Sequence, residues 1–183
     1  MTTQEVLLIG GRAGSGKSTA GYEVSRLLRA AGVAHCLIEG DNLCEAHPMP
    51  ADDPHGTAMT EANLAALRAN YRGLGYRRLM YTNTVSVLER DLVTRAMGGG
   101  PMRVVGVLLT AGDDTVRRRL AGRERGSGFE EELRRSTRGA RVLERESGDW
   151  VVRVPTDGRT VTEVATEVVA ATGWLQDTAA STT

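Results

Sequence analysis

The chain has 183 residues, 40% of them hydrophobic and 25% charged, and its 23 basic and 23 acidic residues give a formal net charge of zero. This length and apolar content suit one buried core, so we expect one domain over residues 1–175 and a flexible polar tail over 176–183. The neutral balance and an aromatic content of only 4% argue against nucleic acid and anionic membranes as partners.

The first element in chain order is a short apolar run, Val6 to Ile9, which predicts a buried strand. The run is too short for a signal peptide or a membrane span, and this favours a cytoplasmic protein. Residues 11–18 follow directly and read Gly-Arg-Ala-Gly-Ser-Gly-Lys-Ser, a full-length phosphate-binding loop between a strand and a helix. Its glycines allow backbone N–H groups to face inward, and the positive end of the next helix favours an anion.

This loop motif assigns roles to its side chains. Lys17 would reach the β- and γ-phosphates, and the Ser18 hydroxyl would take one position on Mg²⁺. We therefore predict that the loop binds ATP and Mg²⁺ as cofactors. The alternative is that it is a glycine-rich turn without a ligand. The predicted nucleotide contacts of this segment are Gly11, Ala13, Gly14, Ser15, Gly16, Lys17, Ser18 and Thr19.

Helical and strand patterns alternate along the rest of the chain. Predicted helices cover 16–31, 60–73, 88–97, 113–124, 130–146 and 161–171, and four more strands cover 34–38, 78–84, 104–109 and 150–154. Crossovers of this length predict an α/β fold of three layers, a five-stranded parallel sheet with helices on both faces. Ligands then bind at the carboxyl ends of the strands. Cys36 and Cys44 match no metal or redox spacing and are expected to be free thiols.

Asp41 follows the second predicted strand, which places it at the same edge of the sheet as the phosphate loop. We predict that its carboxylate orients the acceptor hydroxyl and takes its proton, or helps to hold Mg²⁺ together with Ser18. A simple turn-capping role is the alternative.

A basic segment follows the fourth strand. Arg119 and Arg123 are neighbours on one helix face, where their guanidinium groups could close over a triphosphate and neutralise its charge. A solvated helix face is the alternative, and it is the preferred interpretation for Arg117, Arg118 and Arg125.

Four segments resemble, in order, the landmarks of small P-loop kinases such as nucleoside-monophosphate, shikimate, gluconate and adenylylsulfate kinases. These segments are residues 11–18, 39–41, 119–123 and 154–159. The resemblance spans most of residues 5–172 and implies an adenylate-kinase-like fold with an arginine-bearing lid. It implies catalytic roles for Lys17, Asp41, Arg119 and Arg123. It also places Pro155, Thr156 and Asp157 beside the adenine, where Arg119 would clamp phosphate or base.

The third strand ends at Tyr81-Thr82-Asn83-Thr84 without an acidic residue, so Mg²⁺ would depend on Ser18, the phosphates, water and Asp41. The acceptor pocket is predicted to be shaped by residues 59–78. The arginines of this segment, among them Arg72 and Arg77, suggest an anionic acceptor, and surface positions are an equal alternative.

These observations predict a kinase that moves the γ-phosphate of ATP to a hydroxyl of a small polar acceptor. One variant of this activity is phosphorylation of an antibiotic. A hypothesis of another class is a nucleotide-dependent ATPase or switch without an acceptor, but the sequence lacks the acidic strand end and guanine-reading motif that a switch would need. The pattern leaves open whether the protein is a monomer or a homodimer.

Overall fold

The computed structural model describes residues 3–122 and 128–176. The strands are β1 (Gln4–Gly10), β2 (Cys36–Glu39), β3 (Arg78–Thr82), β4 (Met102–Thr110) and β5 (Val151–Pro155). The helices are α1 (Lys17–Ala30), α2 (Thr57–Gly73), α3 (Arg90–Ala96), α4 (Asp113–Ala121), α5 (Phe129–Glu146) and α6 (Val161–Thr172). Two short 3-10 turns cover Gly40–Asn42 and Ser86–Leu88.

The five strands form one parallel sheet in the order β2-β3-β1-β4-β5. In the centre, Leu7 of β1 pairs with Met80 of β3 on one side and Val105 of β4 on the other. Each parallel pair needs a crossover, and helices supply these connections. The predicted α/β fold with a five-stranded parallel sheet is confirmed.

Both faces of the sheet are buried, because successive side chains of β1 point to opposite sides. Leu8 packs on the side of α2 and α3, whereas Leu7 and Ile9 pack on the side of α1 and α6, and all three side chains are fully buried. Burial of each such side chain is worth about 1.5–3 kcal/mol. The predicted three layers, with helices on both faces, are therefore present.

The helices are amphipathic rather than apolar throughout. The longest is α5, with 18 residues, which buries Leu133 and Leu143 and exposes most of its charged side chains. Over 3–122 and 128–176, no helix is both long enough and apolar enough to cross a bilayer.

The start of helix α2 and the end of strand β2 differ from the predicted bounds. Helix α2 begins at Thr57, three residues before the predicted Thr60. The Asp53 carboxylate accepts a hydrogen bond of 3.0 Å from the Met59 N–H, and it thereby provides a partner for a backbone N–H of the first turn. Strand β2 continues to Glu39, one residue beyond the predicted end. This shift places the Glu39 side chain at the carboxyl edge of the sheet.

Candidate active site

The loop between β1 and α1 has the geometry of a phosphate cradle. Gly11, Gly14 and Gly16 have φ angles of 152°, 81° and 96°, values that side chains disfavour. A Cβ on Gly11 would lie 2.7 Å from the carbonyl oxygen of Leu109, so no larger residue fits there. Gly16 is the N-cap of α1 and carries no side-chain oxygen, so the first N–H groups of the helix have no side-chain cap. These N–H groups are suited to bind an anion.

Helix α5 holds this loop in place from one side. The Nε of Arg12 donates to Ser136 Oγ at 2.9 Å, and that hydroxyl donates to the carbonyl of Ala13 at 2.8 Å. A second nitrogen of Arg12 forms an ion pair of 2.6 Å with Asp113. Arg12 is 6% exposed and therefore braces the loop from behind. Sequence reasoning gave Arg12 no role, because the loop motif leaves its position open.

Arg119 of α4 holds the loop from the other side. Its guanidinium donates to the carbonyls of Gly14 and Ser15, each at 3.2 Å. It also donates to the hydroxyl of Thr156 at 3.0 Å and to the carbonyl of that residue at 3.1 Å. All of these contacts are to carbonyl and hydroxyl groups of the protein. Arg119 thus joins the phosphate loop to the segment after β5.

A cavity of about 280 Å³ lies beside these contacts. It is lined by the phosphate loop, by the start of α1 and by Arg119, Thr156, Arg159, Val161 and Val164. Thr156, predicted to lie beside a base, is 3% exposed and lines this cavity. Pro155 and Asp157 are adjacent in sequence but are not among its described lining residues.

Asp157 instead links two loops. Its carboxylate oxygens accept hydrogen bonds of 3.0 and 3.1 Å from the N–H of Gly112, which precedes α4. Hydrogen bonds from the Thr115 hydroxyl and from this N–H lower the pKa of Asp157. The carboxylate therefore fixes the loop after β5 against the loop after β4.

A second cavity, of about 570 Å³, lies on the other side of the phosphate loop. Gly14 and Gly16 line both cavities, so the two form adjoining parts of one site. Lys17, Ser18 and Asp41 all line the second cavity, together as the sequence predicted. Lys17 is 8% exposed and is the single lysine of the chain. The Asp41 carboxylate also accepts a hydrogen bond of 3.4 Å from the Thr84 N–H.

Glu39 adds a carboxylate that sequence reasoning missed. Ser18 Oγ donates to Glu39 Oε2 at 3.0 Å, and the other oxygen, Oε1, is buried with no partner in the described part of the chain. Within 3–122 and 128–176, no three His, Cys, Asp or Glu side chains lie close enough to hold a metal by themselves. One hydroxyl and nearby carboxylates suit Mg²⁺, which keeps several waters and phosphate oxygens as ligands. The feature of the sequence that could have indicated Glu39 as a site residue is its position at the end of a predicted strand.

A buried polar network lies near Asp41. Asn83 Nδ2 donates to Glu89 Oε2 at 2.8 Å, and the Tyr81 hydroxyl donates to the same oxygen at 3.4 Å. Burial raises the pKa of Glu89, and the negative charge of Asp41 contributes to the increase. The network therefore places a further carboxyl group, that of Glu89, near Asp41.

Two predicted groups lie elsewhere. Arg72 and Arg77 line a cavity together with Gln4 and Pro101. Gln4 is the first residue of β1, and Pro101 directly precedes β4. In a parallel sheet this is the amino edge, opposite the phosphate loop, so these arginines do not shape the second cavity. Arg123 lies outside the described residues, and the arginine-bearing lid stays a prediction.

Comparisons with known proteins agree on the fold. No family model matches the chain, and no curated protein matches it. Many solved structures match, among them the following three at probability 1.00. A gluconokinase from Sinorhizobium meliloti 1021 has a TM-score of 0.60 and 19% identity, over 100% of this chain and 99% of that one.

The second structure is the APS kinase of Mycobacterium tuberculosis in complex with AMPPNP and APS, with a TM-score of 0.55 and 21% identity over 93% of this chain and 98% of that one. The third is the tunicamycin resistance protein of Deinococcus radiodurans, with a TM-score of 0.59 and 18% identity over 93% and 96%. At these identities the likeness establishes the fold, which is that of small P-loop kinases, as the sequence motifs predicted.

Proposed function

We propose that this protein is an ATP- and Mg²⁺-dependent kinase that transfers the γ-phosphate to a hydroxyl of a small polar acceptor. The observation that carries the proposal is the pair of adjoining cavities that share Gly14 and Gly16. One cavity is lined by Thr156, which the resemblance to small P-loop kinases predicts to lie beside the base, and the other contains Lys17, Ser18 and Asp41. A switch protein needs no such acceptor space.

The nucleotide base would occupy the smaller cavity beside Thr156. The phosphates would follow the N–H groups of the loop towards Lys17, whose ammonium group would balance charge on the transferred oxygens. Arg119 would keep the loop in the shape that receives them, and Arg123 stays a predicted phosphate contact.

Asp41 would orient the acceptor in the larger cavity. The acceptor oxygen attacks the γ-phosphorus as the bond from that phosphorus to the ADP oxygen breaks, and the hydroxyl proton passes to the Asp41 carboxylate. When bound, Mg²⁺ would neutralise phosphate charge. Ser18 and Glu39 are the residues that would hold it, with Asp41 as a further candidate through water.

Of the six charged side chains that line the second cavity, three are acidic and three are basic, and one of the basic ones, Arg12, is paired with Asp113. Asp41 and Glu45 line the cavity, and Arg135 is engaged by Glu132 at 2.8 Å. Carboxylates accept hydrogen bonds from hydroxyl groups and repel anions. We therefore propose a neutral, hydroxyl-rich acceptor in place of the anionic one that Arg72 and Arg77 suggested.

The test is ADP release from ATP and Mg²⁺ in the presence of single candidate acceptors. The names of the similar structures supply the first three compounds, gluconate, APS and tunicamycin, and neutral polyols extend the panel. One acceptor should stimulate ADP release and gain a phosphate, detectable by mass spectrometry. ATP hydrolysis that no acceptor stimulates would contradict the proposal.

Two variants assign the roles. Lys17→Ala should abolish transfer, whereas Arg141→Gln, a change at an exposed position of α5, should leave it intact. Asp41→Asn should lower kcat far more than it weakens ATP binding. An Asp41→Asn effect restricted to ATP or Mg²⁺ binding would identify Asp41 as a metal-shell residue instead.

A further inference from the structure

The opposite edge of the sheet contains a third cavity, of about 550 Å³. It lies where β1, β3 and β4 begin, and its lining includes three arginines, Arg68, Arg72 and Arg77. No carboxylate belongs to its described lining. Three cations that share a concave surface repel one another, so a cavity of this kind favours an anionic occupant.

Arg68 is the unusual member of this set. It is 2% exposed, and its hydrogen-bond partners among the described residues are neutral, Met97 Sδ at 3.2 Å from Nε and Gln4 Oε1 at 3.0 Å from Nη2. Its third nitrogen, Nη1, is buried and has no partner within the described residues. Burial lowers the pKa of Arg68, and the charge of Arg72 lowers it further. A buried guanidinium charge without a nearby counter-ion is costly, and an anion bound in the cavity would offset that cost.

A glycine turn completes the cavity. Gly98, Gly99 and Gly100 have φ angles of 80°, 73° and 93°, a backbone path that residues with side chains disfavour. Gln4 Nε2 donates to the carbonyl of Gly99 at 3.0 Å, so the Gln4 amide joins this turn to Arg68. Arg72 Nη1 lies 3.6 Å from the position that a Cβ on Gly98 would take. The turn and the arginines therefore form one compact surface, which we call the arginine cavity.

We propose that the arginine cavity is a second ligand site, separate from the phosphate loop, that binds a small soluble oxyanion such as a phosphate-bearing molecule. Arg68 would contribute positive charge from the floor of the cavity, and the exposed Arg72 and Arg77 would donate to the anion from the rim. Guanidinium groups suit phosphate oxygens because they present paired donors in a fixed plane. The cavity volume leaves room for an organic group beyond the phosphate.

The test is a titration of the full chain with inorganic phosphate, followed through backbone amide signals in ¹H–¹⁵N NMR. The signals of Gly98, Gly99 and Gly100 should shift with a saturable dependence on phosphate. Sodium chloride at equal ionic strength should not reproduce the shifts. Because each amide is observed separately, phosphate at Gly11–Ser18 is distinguished from phosphate at this edge.

The matched variants are the double change Arg72→Gln with Arg77→Gln, and Arg141→Gln as control. All three positions are exposed, so these proteins should fold. The double variant should bind phosphate at the glycine turn at least tenfold more weakly, and the control should bind it unchanged. Unchanged affinity in the double variant, shifts that chloride reproduces, or shifts restricted to the phosphate loop would overturn the proposal.

Discussion

Replacement of Arg119 by lysine tests whether this residue shapes the phosphate loop or acts on the transferred phosphate. The two terminal nitrogens of Arg119 lie within hydrogen-bond distance, 3.0 to 3.2 Å, of four oxygen atoms of Gly14, Ser15 and Thr156. Lysine keeps the charge but is a point donor, and it cannot reproduce the planar set of contacts.

The expected loss follows from these contacts. A hydrogen bond from a charged group contributes about 1.5–3 kcal/mol, and partial exposure of Arg119 favours the low end of that range. If lysine keeps part of the set, the loop loses about 2 kcal/mol of support, which ATP must restore when it binds. This predicts nucleotide binding that is about 30-fold weaker, since about 1.4 kcal/mol corresponds to a factor of ten.

The measurement is isothermal titration calorimetry with AMPPNP. Arg118→Lys is the matched control, because Arg118 is the neighbouring residue of α4, is exposed, and donates to Thr115 at 3.1 Å. Equal Kd values for the Arg119→Lys and Arg118→Lys proteins would refute the reasoning. A lower kcat with an unchanged Kd would show instead that Arg119 acts on the transferred phosphate.

Three further predictions concern other groups. Glu39→Gln should raise the Mg²⁺ concentration needed for half-maximal activity about tenfold, because it replaces the carboxylate beside Ser18. It should leave nucleotide binding in the absence of Mg²⁺ unchanged. An unaltered Mg²⁺ dependence would exclude Glu39 from the metal site. Burial raises the pKa of Glu89 above its usual 4.5, so the folded chain holds more protons than the unfolded chain above that pH, and the stability that Glu89 contributes falls as pH rises. In urea unfolding, Glu89→Gln should therefore gain stability relative to the parent as pH rises above that usual value, and a difference that does not change with pH would contradict the raised pKa. Burial also raises the pKa of Cys36 to about 11. A thiol reagent should therefore label only the half-buried Cys44 in the native protein, and it should label both cysteines after unfolding. Rapid labelling of two thiols in the native state would show that Cys36 is accessible.

The fold and the phosphate side of the site could be predicted because their signals are local. A loop motif after an apolar strand defines its own geometry, and parallel strands bring Asp41 to the same edge of the sheet. The structure places Lys17, Ser18 and Asp41 around one cavity, although their catalytic roles stay predictions.

The missed features depend on packing between distant elements. Glu39 meets Ser18 only because β2 and α1 pack together, and the direction in which α4 presents Arg119 depends on tertiary contacts with the segment after β5. Arg72 and Arg77 were associated with the acceptor although they precede a parallel strand, and that order along the chain assigns them to the amino edge. Strand direction alone would have corrected this expectation.

The chain uses arginine for every basic position except Lys17. Its only side-chain primary amine therefore lies at the phosphate loop, 8% exposed to solvent. A reagent that acylates amines has one side-chain target in this protein, and protection of that target would report directly on occupancy of the loop. For the same reason, immobilising the protein through a lysine side chain would block the site, so surface-based binding assays should attach it by another chemistry.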